Sequence, residues 1–181
     1  MSPILGIYAS QISGHLSTNN FSSIATVTVG SGGASSITFS SIPSTYTHLQ
    51  IRGISQNSGT ATNAIQFNGD TASNYNSHYL YGDGSSAASG YLSSTYGYGF
   101  LSSFSTATNV FGGAVIDVLD YANTNKYKTY RSLTGADLNG SGNMEFLSGA
   151  WRNTTAVTSI TLAATTGNFS QYSSFALYGI K

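Results

Sequence analysis

The sequence predicts an all-β fold, an antiparallel β-sandwich. Three observations carry this expectation. Apolar residues alternate with Thr, Ser and other polar residues at period two in many short runs. Clusters of Gly, Asn and Ser separate those runs at short intervals. From residue 21 onward no long stretch carries the apolar spacing of an amphipathic helix. Many short strands without helices make a sandwich or a barrel, and about eight to ten of them suit a jelly roll.

The elements follow in chain order. Residues 1–20 stand apart as an N-terminal anchoring arm, with Ile4, Leu5, Ile7, Tyr8, Ile12 and Leu16 as its apolar series and no Asp, Glu, Lys or Arg. A helix would place Ile4, Tyr8, Ile12 and Leu16 on one face, whereas Gly6, Gly14 and the β-branched residues lower helix propensity and allow an extended arm. In either form it is too apolar for a free tail and is expected to lie on its own domain or on a neighbouring subunit. The sandwich domain is assigned to residues 21–181. Ala25, Val27 and Val29 alternate with Thr26 and Thr28 as a half-buried strand. Gly30, Ser31, Gly32 and Gly33 read as a turn, and Ile37 and Phe39 as the returning strand of a hairpin. Pro43 ends that ladder. Over residues 48–54, Leu49 and Ile51 take one face and Gln50 and Arg52 the other. Further strands are expected at 64–67, 78–81, 111–119, 127–133, 144–151, 157–162 and 172–180. Residues 83–108, rich in Gly, Ser and Tyr, read as the longest irregular loop, and loops of that length are functional or mobile.

Composition narrows the function. The chain has 181 residues, 7% of them charged, with six basic residues against six acidic ones. About a quarter is usual for charged residues. So few cations on a neutral chain give no grip on phosphates, which argues against nucleic-acid binding. The absence of cysteine removes disulfides, thiolate nucleophiles and Cys-type zinc sites. No apolar run approaches the roughly 20 residues of a membrane span, and no secretory leader pattern opens the sequence. A surface solvated by hydroxyls and amides, with little charge repulsion, favours self-association. The composition therefore suits a subunit of an assembly.

Chemical motifs are sparse. There is no H-E-x-x-H, no phosphate loop and no G-x-S-x-G elbow. His15, His48 and His78 have no acid or second His at ligand spacing, and a triad of His78, Asp70 or Asp83 with one of many serines is unconstrained. Asp117 and Asp120 lie three apart on a strand and so face opposite ways, which suits outward residues near Lys126, Lys128 or Arg131 better than paired catalytic carboxylates. Asn68, Asp70, Asn74, Asn76 and Asp83 offer oxygen ligands without calcium-loop spacing, and such residues are ordinary in turns. The expectation is a non-enzyme without catalytic residues, metal or cofactor. Tyr91, Tyr96, Tyr98 and Phe100, with Phe104 beyond them, supply a candidate capture loop for a receptor or partner, and Trp151 a further aromatic for sugar stacking. The glycosylation sequon at Asn153, Thr154 and Thr155 reads as chance.

Several stretches are similar in wording to a known group. They are ILGIYASQISGHL at 4–16, SIATVTVGSGGASSITFSSIPSTYTHLQIRGI at 23–54, FNGDTASNYNSHYLYGDGSS at 67–86, VLDYANTNKYKTYRSL at 118–133, SGAWRNT at 148–154 and SFALYGIK at 174–181. The chain resembles the small β-sandwich virion structural proteins, of tail-fibre or decoration type, of cyanobacterial and related tailed phages. The resemblance spans nearly the whole chain and fails mainly near 87–108. It implies a trimeric, non-enzymatic component of the virion exterior, assembled in the host bacterial cytoplasm, and transfers no functional residue. The leading expectation is a homotrimeric tail-fibre or receptor-binding component. Its arm would dock on another phage structural protein (fibre, baseplate or major capsid protein) and its loop would face a host surface glycan. The alternatives are a trimeric capsid cement protein and, more distantly, a carbohydrate-binding module. Neither nucleic acid nor membrane insertion enters the expectation.

Overall fold

Alternation at period two is realised strand by strand. The computed structural model describes residues 20–59, 62–101, 107 and 109–181. Among them lie twelve strands: β1 (Phe21–Thr28), β2 (Ser36–Phe39), β3 (His48–Ser55), β4 (Thr62–Phe67), β5 (Tyr75–Gly82), β6 (Ala87–Ser94), β7 (Gly97–Leu101), β8 (Gly112–Leu119), β9 (Lys128–Asp137), β10 (Gly142–Trp151), β11 (Ile160–Ala164) and β12 (Ser174–Ile180). They form two antiparallel sheets, one of eight strands in the order β1-β12-β3-β8-β9-β10-β5-β6 and one of four in the order β2-β11-β4-β7. The fold is a β-sandwich. The strand count exceeds the expectation, and the large sheet is wider than either sheet of an eight-stranded jelly roll.

The core lies where the two inner faces meet. Leu49 and Ile51 of β3, Ile116 and Val118 of β8, Leu147 of β10, and Phe175 and Leu177 of β12 enter it from the large sheet. Phe39, Ile65, Phe67, Ile160 and Leu162 meet them from the small one. Tyr130 is a fully buried polar-tipped residue in this layer. Its hydroxyl meets Ser77 Oγ at 2.8 Å, and its ring occupies the space that a Cβ at Gly97 or Gly149 would take. Those two glycines admit the ring because they lack a side chain.

Two expectations are corrected. The hairpin expected between residues 25–29 and 37–39 does not form: β1 pairs with β12 in the large sheet, and β2 pairs with β11 in the small one. The turn region instead carries the chain across the sandwich, where Ala34 forms a bridge with Phe169. Both flanking segments are apolar on one side because both face the core, from opposite sheets. The second correction is the segment expected as an irregular loop. Between Gly82 and Leu101 it holds β6 and β7, built of Gly, Ser, Ala and Tyr with hardly any aliphatic alternation. Their pairing with β5 and β4 orders them. Asp83 closes the β5–β6 turn by accepting hydrogen bonds from the backbone amides of Ser85 at 2.9 Å and Ser86 at 2.7 Å. These contacts hold its carboxyl well below the usual range.

Candidate interaction surface

The large sheet covers the core with one face, so the alternate residues of its strands point away from it. Register fixes which of these are neighbours. Val115 stands opposite Leu133, Leu133 opposite Phe146, and Phe146 opposite Leu80, so one apolar row crosses β8, β9, β10 and β5. All four remain open to solvent, at 37%, 50%, 48% and 60% exposure for Val115, Leu133, Phe146 and Leu80. The adjoining row is Gly113, Gly135, Met144 and Gly82, with Ile54 of β3 opposite Gly113. Met144 and Ile54 are also exposed. Together the six side chains present roughly 600 Å² of apolar surface, the upper end of what a soluble monomer leaves uncovered.

Polar groups border this patch on the other side. There Gln50, Asp117, Arg131, Ser148, His78 and Tyr91 follow one another across six strands. Gln50 Nε2 donates to Asp117 Oδ1 at 2.8 Å, and Arg52 Nε donates to Gln50 Oε1 at 2.9 Å. The Arg52 guanidinium also lies 4.9 Å from the centre of the Phe21 ring and 5.7 Å from that of Tyr178. At the far end His78 and Tyr91 approach to 4.8 Å between ring centres. With Leu80, Phe146 and Ser148 they line a shallow trough of about 510 Å³. A surface of this kind is suited to association: apolar and uncharged along its middle, polar at its rim.

The residues expected to carry function scatter. Ile4, Leu5, Ile7, Tyr8, Ile12 and Leu16 lie outside the described residues, as do His15 and Phe104. Of the capture-loop aromatics, Tyr91 is exposed on the outer face of β6. Tyr96 and Tyr98 are half-buried and in ring contact with each other, and Tyr98 stacks on Tyr79 at 6.5 Å. Phe100 belongs to β7, where it pairs with Asn63. Tyr91, on the outer face, is thus separate from the pair of Tyr96 and Tyr98.

Trp151, expected as a surface aromatic, is buried instead, and its indole Nε1 donates to Asp70 Oδ2 at 2.7 Å. Asp70 also accepts from Asn74 Nδ2 at 2.8 Å and the Ala72 amide at 2.9 Å. The bond from Asn74 is the strongest of the contacts that keep its carboxyl below the ordinary range. Of the oxygen atoms considered for calcium, those of Asp70 and Asp83 thus serve turns, Asn68 Oδ1 accepts from the Thr158 amide at 2.8 Å, and Asn76 lies within β5. Among the described residues no three His, Cys, Asp or Glu side chains converge. Asp120 pairs with Lys126, while Asp117 stands opposite Arg131 on the outer face.

Two buried ionisable side chains leave no mark in the sequence pattern. Lys128 is fully enclosed, and its Nζ donates to the carbonyls of Asn123 at 2.5 Å, Thr154 at 2.9 Å and Lys126 at 3.0 Å. Desolvation lowers its pKa. Glu145 points inward from β10, opposite Thr134 and Tyr81. Its Oε2 has no hydrogen-bond partner, and burial pushes its pKa up to about 7. The apolar row was missed as well, although a signal for it exists. Strands β8 and β10 carry apolar residues at both parities, as in Ala114-Val115-Ile116 and Phe146-Leu147. In an antiparallel sheet that pattern marks a second face that also carries apolar side chains, in place of the usual alternation of apolar and polar residues. No family model matches the chain, and no curated protein matches it.

Proposed function

We propose that the protein is a non-enzymatic structural subunit of a bacteriophage virion exterior, a homotrimer that joins its assembly through the outer face of the large sheet. The observation that carries this reading is the exposed row of Val115, Leu133, Phe146 and Leu80 on a chain with no net charge. Burying it removes apolar surface from water, and with a neutral composition little electrostatic repulsion opposes contact. A closed trimer satisfies all copies of the face at once. The resemblance to phage virion proteins supports the location, and the uncharged leader supports an arm that docks on a neighbouring protein. In the receptor-binding form of this reading, Tyr91 and His78 at the end of the sheet face the host surface.

Light scattering on the full chain tests the assembly. A trimer is expected, and Leu133→Asp with Phe146→Asp is expected to convert it to a folded monomer. A wild-type monomer, or a trimer untouched by both substitutions, defeats the proposal. Cryo-EM of the intact particle then tests the station: density on the tail supports the fibre component, and density on the head makes it a cement protein.

A further inference from the structure

We infer that the occupant of the apolar row is the uncharged leader of a second copy, so that residues 4–16 of one chain lie across Val115, Leu133, Phe146 and Leu80 of the next. The inference rests on the assembly reading above and names what that assembly buries. Three observations support it.

The first is chemical match. The leader carries Ile4, Leu5, Ile7, Tyr8, Ile12 and Leu16 without a single charged residue, and the row is uncharged from Val115 to Leu80, with Arg52 at its β3 end. An apolar segment gains by leaving water only where it meets such a surface. The row beside it has adjacent glycines at 113 and 135, between Ile54 and Met144, and leaves a short shelf in which an added backbone can sit close to the sheet.

The second is reach. Nineteen residues precede Asn20, whose carbonyl accepts from the Lys181 amide at 3.1 Å beside the start of edge strand β1. The Phe21 end of β1 is level with His48 of β3, and the apolar row is level with Arg52, four residues further along. From Phe21 to Leu133 is therefore about 23 Å, from four strand spacings sideways and four residues lengthwise. A leader of this length extends to about 60 Å, enough to leave its own subunit.

The third is direction. On its own sheet the leader's shortest path to Val115 and Leu133 crosses the row of Gln50, Asp117 and Arg131. Covering those groups with uncharged residues strips water from two ions without replacing it. A leader arriving from a neighbour can enter over the glycine shelf and leave that row hydrated. Exchange between copies therefore fits better than a fold-back.

The chain has no cysteine, so introduced thiols are the only ones present. In the full chain carrying Ile7→Cys and Leu133→Cys, a bismaleimide is expected to yield covalent dimers and trimers, while either single variant yields few. Ile7→Asp with Ile12→Asp, also in the full chain, is expected to dissociate the trimer as Leu133→Asp does. A crosslink confined within single chains overturns the inference in favour of fold-back. A trimer that survives the leader substitutions but not Leu133→Asp also overturns it, leaving sheet-to-sheet packing and the assembly reading intact. A full-length monomer defeats both.

Discussion

Replacing Glu145 by glutamine is expected to stabilise the protein above neutral pH and to leave it nearly unchanged in acid. Glu145 is 3% exposed on the inner face of β10, and its Oε2 finds no donor. Desolvation raises its pKa from the ordinary 4.5 to about 7. The folded state therefore prefers the protonated acid. Below the unfolded pKa this preference contributes its full stabilisation, which falls away as pH rises between 4.5 and about 7 and is absent above. At about 1.4 kcal/mol per pKa unit the loss amounts to roughly 3 kcal/mol, a ceiling because water drawn in on ionisation offsets part of it. Glutamine keeps the shape and never ionises. The variant should melt about 3–10 °C higher than the wild type at pH 8 and within a degree or so of it at pH 4, given roughly 2–4 °C per kcal/mol for a domain of this size. Calorimetry at both pH values measures the gap, and subtracting variant from wild type cancels the opposite acid-side trend of Asp70 and Asp120. A gap of equal size at both pH values would refute the assignment of a buried, unpaired carboxyl.

Three further outcomes follow from packing. Phe39→Ala and Phe175→Ala each truncate a ring buried in the core, and chemical denaturation should show a loss of about 3–5 kcal/mol for either. Asp70→Ala removes the acceptor shared by Trp151 Nε1, Asn74 Nδ2 and the Ala72 amide; a loss of about 2–3 kcal/mol is expected, with a shift in the fluorescence of the single tryptophan. Gly149→Ala places a Cβ against the Tyr130 ring and should destabilise by at least about 2 kcal/mol, whereas Gly113→Ala, which meets open space, should melt within about 1 kcal/mol of the wild type.

How legible each part was in the sequence depends on what holds it. Strand β3 declared itself because Leu49 and Ile51 are core residues while Gln50 and Arg52 are not, so the period survives in the letters. Strands β6 and β7 did not, since Ser89, Gly90 and Ser93 owe their extended form to pairing with β5 rather than to a buried face of their own. The supposed hairpin failed because period two reports burial, not partnership, and two strands facing the same core from opposite sheets look alike. Trp151 was misplaced for a related reason: its donor Nε1–H finds Asp70, 81 residues away in sequence. The burial of Lys128 was invisible because its partners are backbone carbonyls, which no side-chain pattern reports. The apolar outer row needed the register of four strands at once.

That row also bears on why so few charges suffice. Of the ionisable residues, Lys128 and Glu145 are buried, Asp120 and Lys126 pair with each other, and Asp70 and Asp83 are committed to turns. Arg52, Arg131, Arg152 and Lys181 then match Asp70, Asp83, Asp117 and Asp137 in number, so little net charge is left to hold copies apart. In most soluble domains an exposed stripe such as Val115, Leu133, Phe146 and Leu80 is tolerated because charges nearby keep neighbours at a distance. Here Asp117 and Arg131, opposite in sign and side by side at its border, cancel at long range and discriminate at contact. Such an edge resists a charged or misregistered partner while leaving an uncharged one unopposed. In the proposed assembly the scarcity of ions and the two-sided sheet would thus act in one direction, toward the neutral surface of a like subunit or its leader.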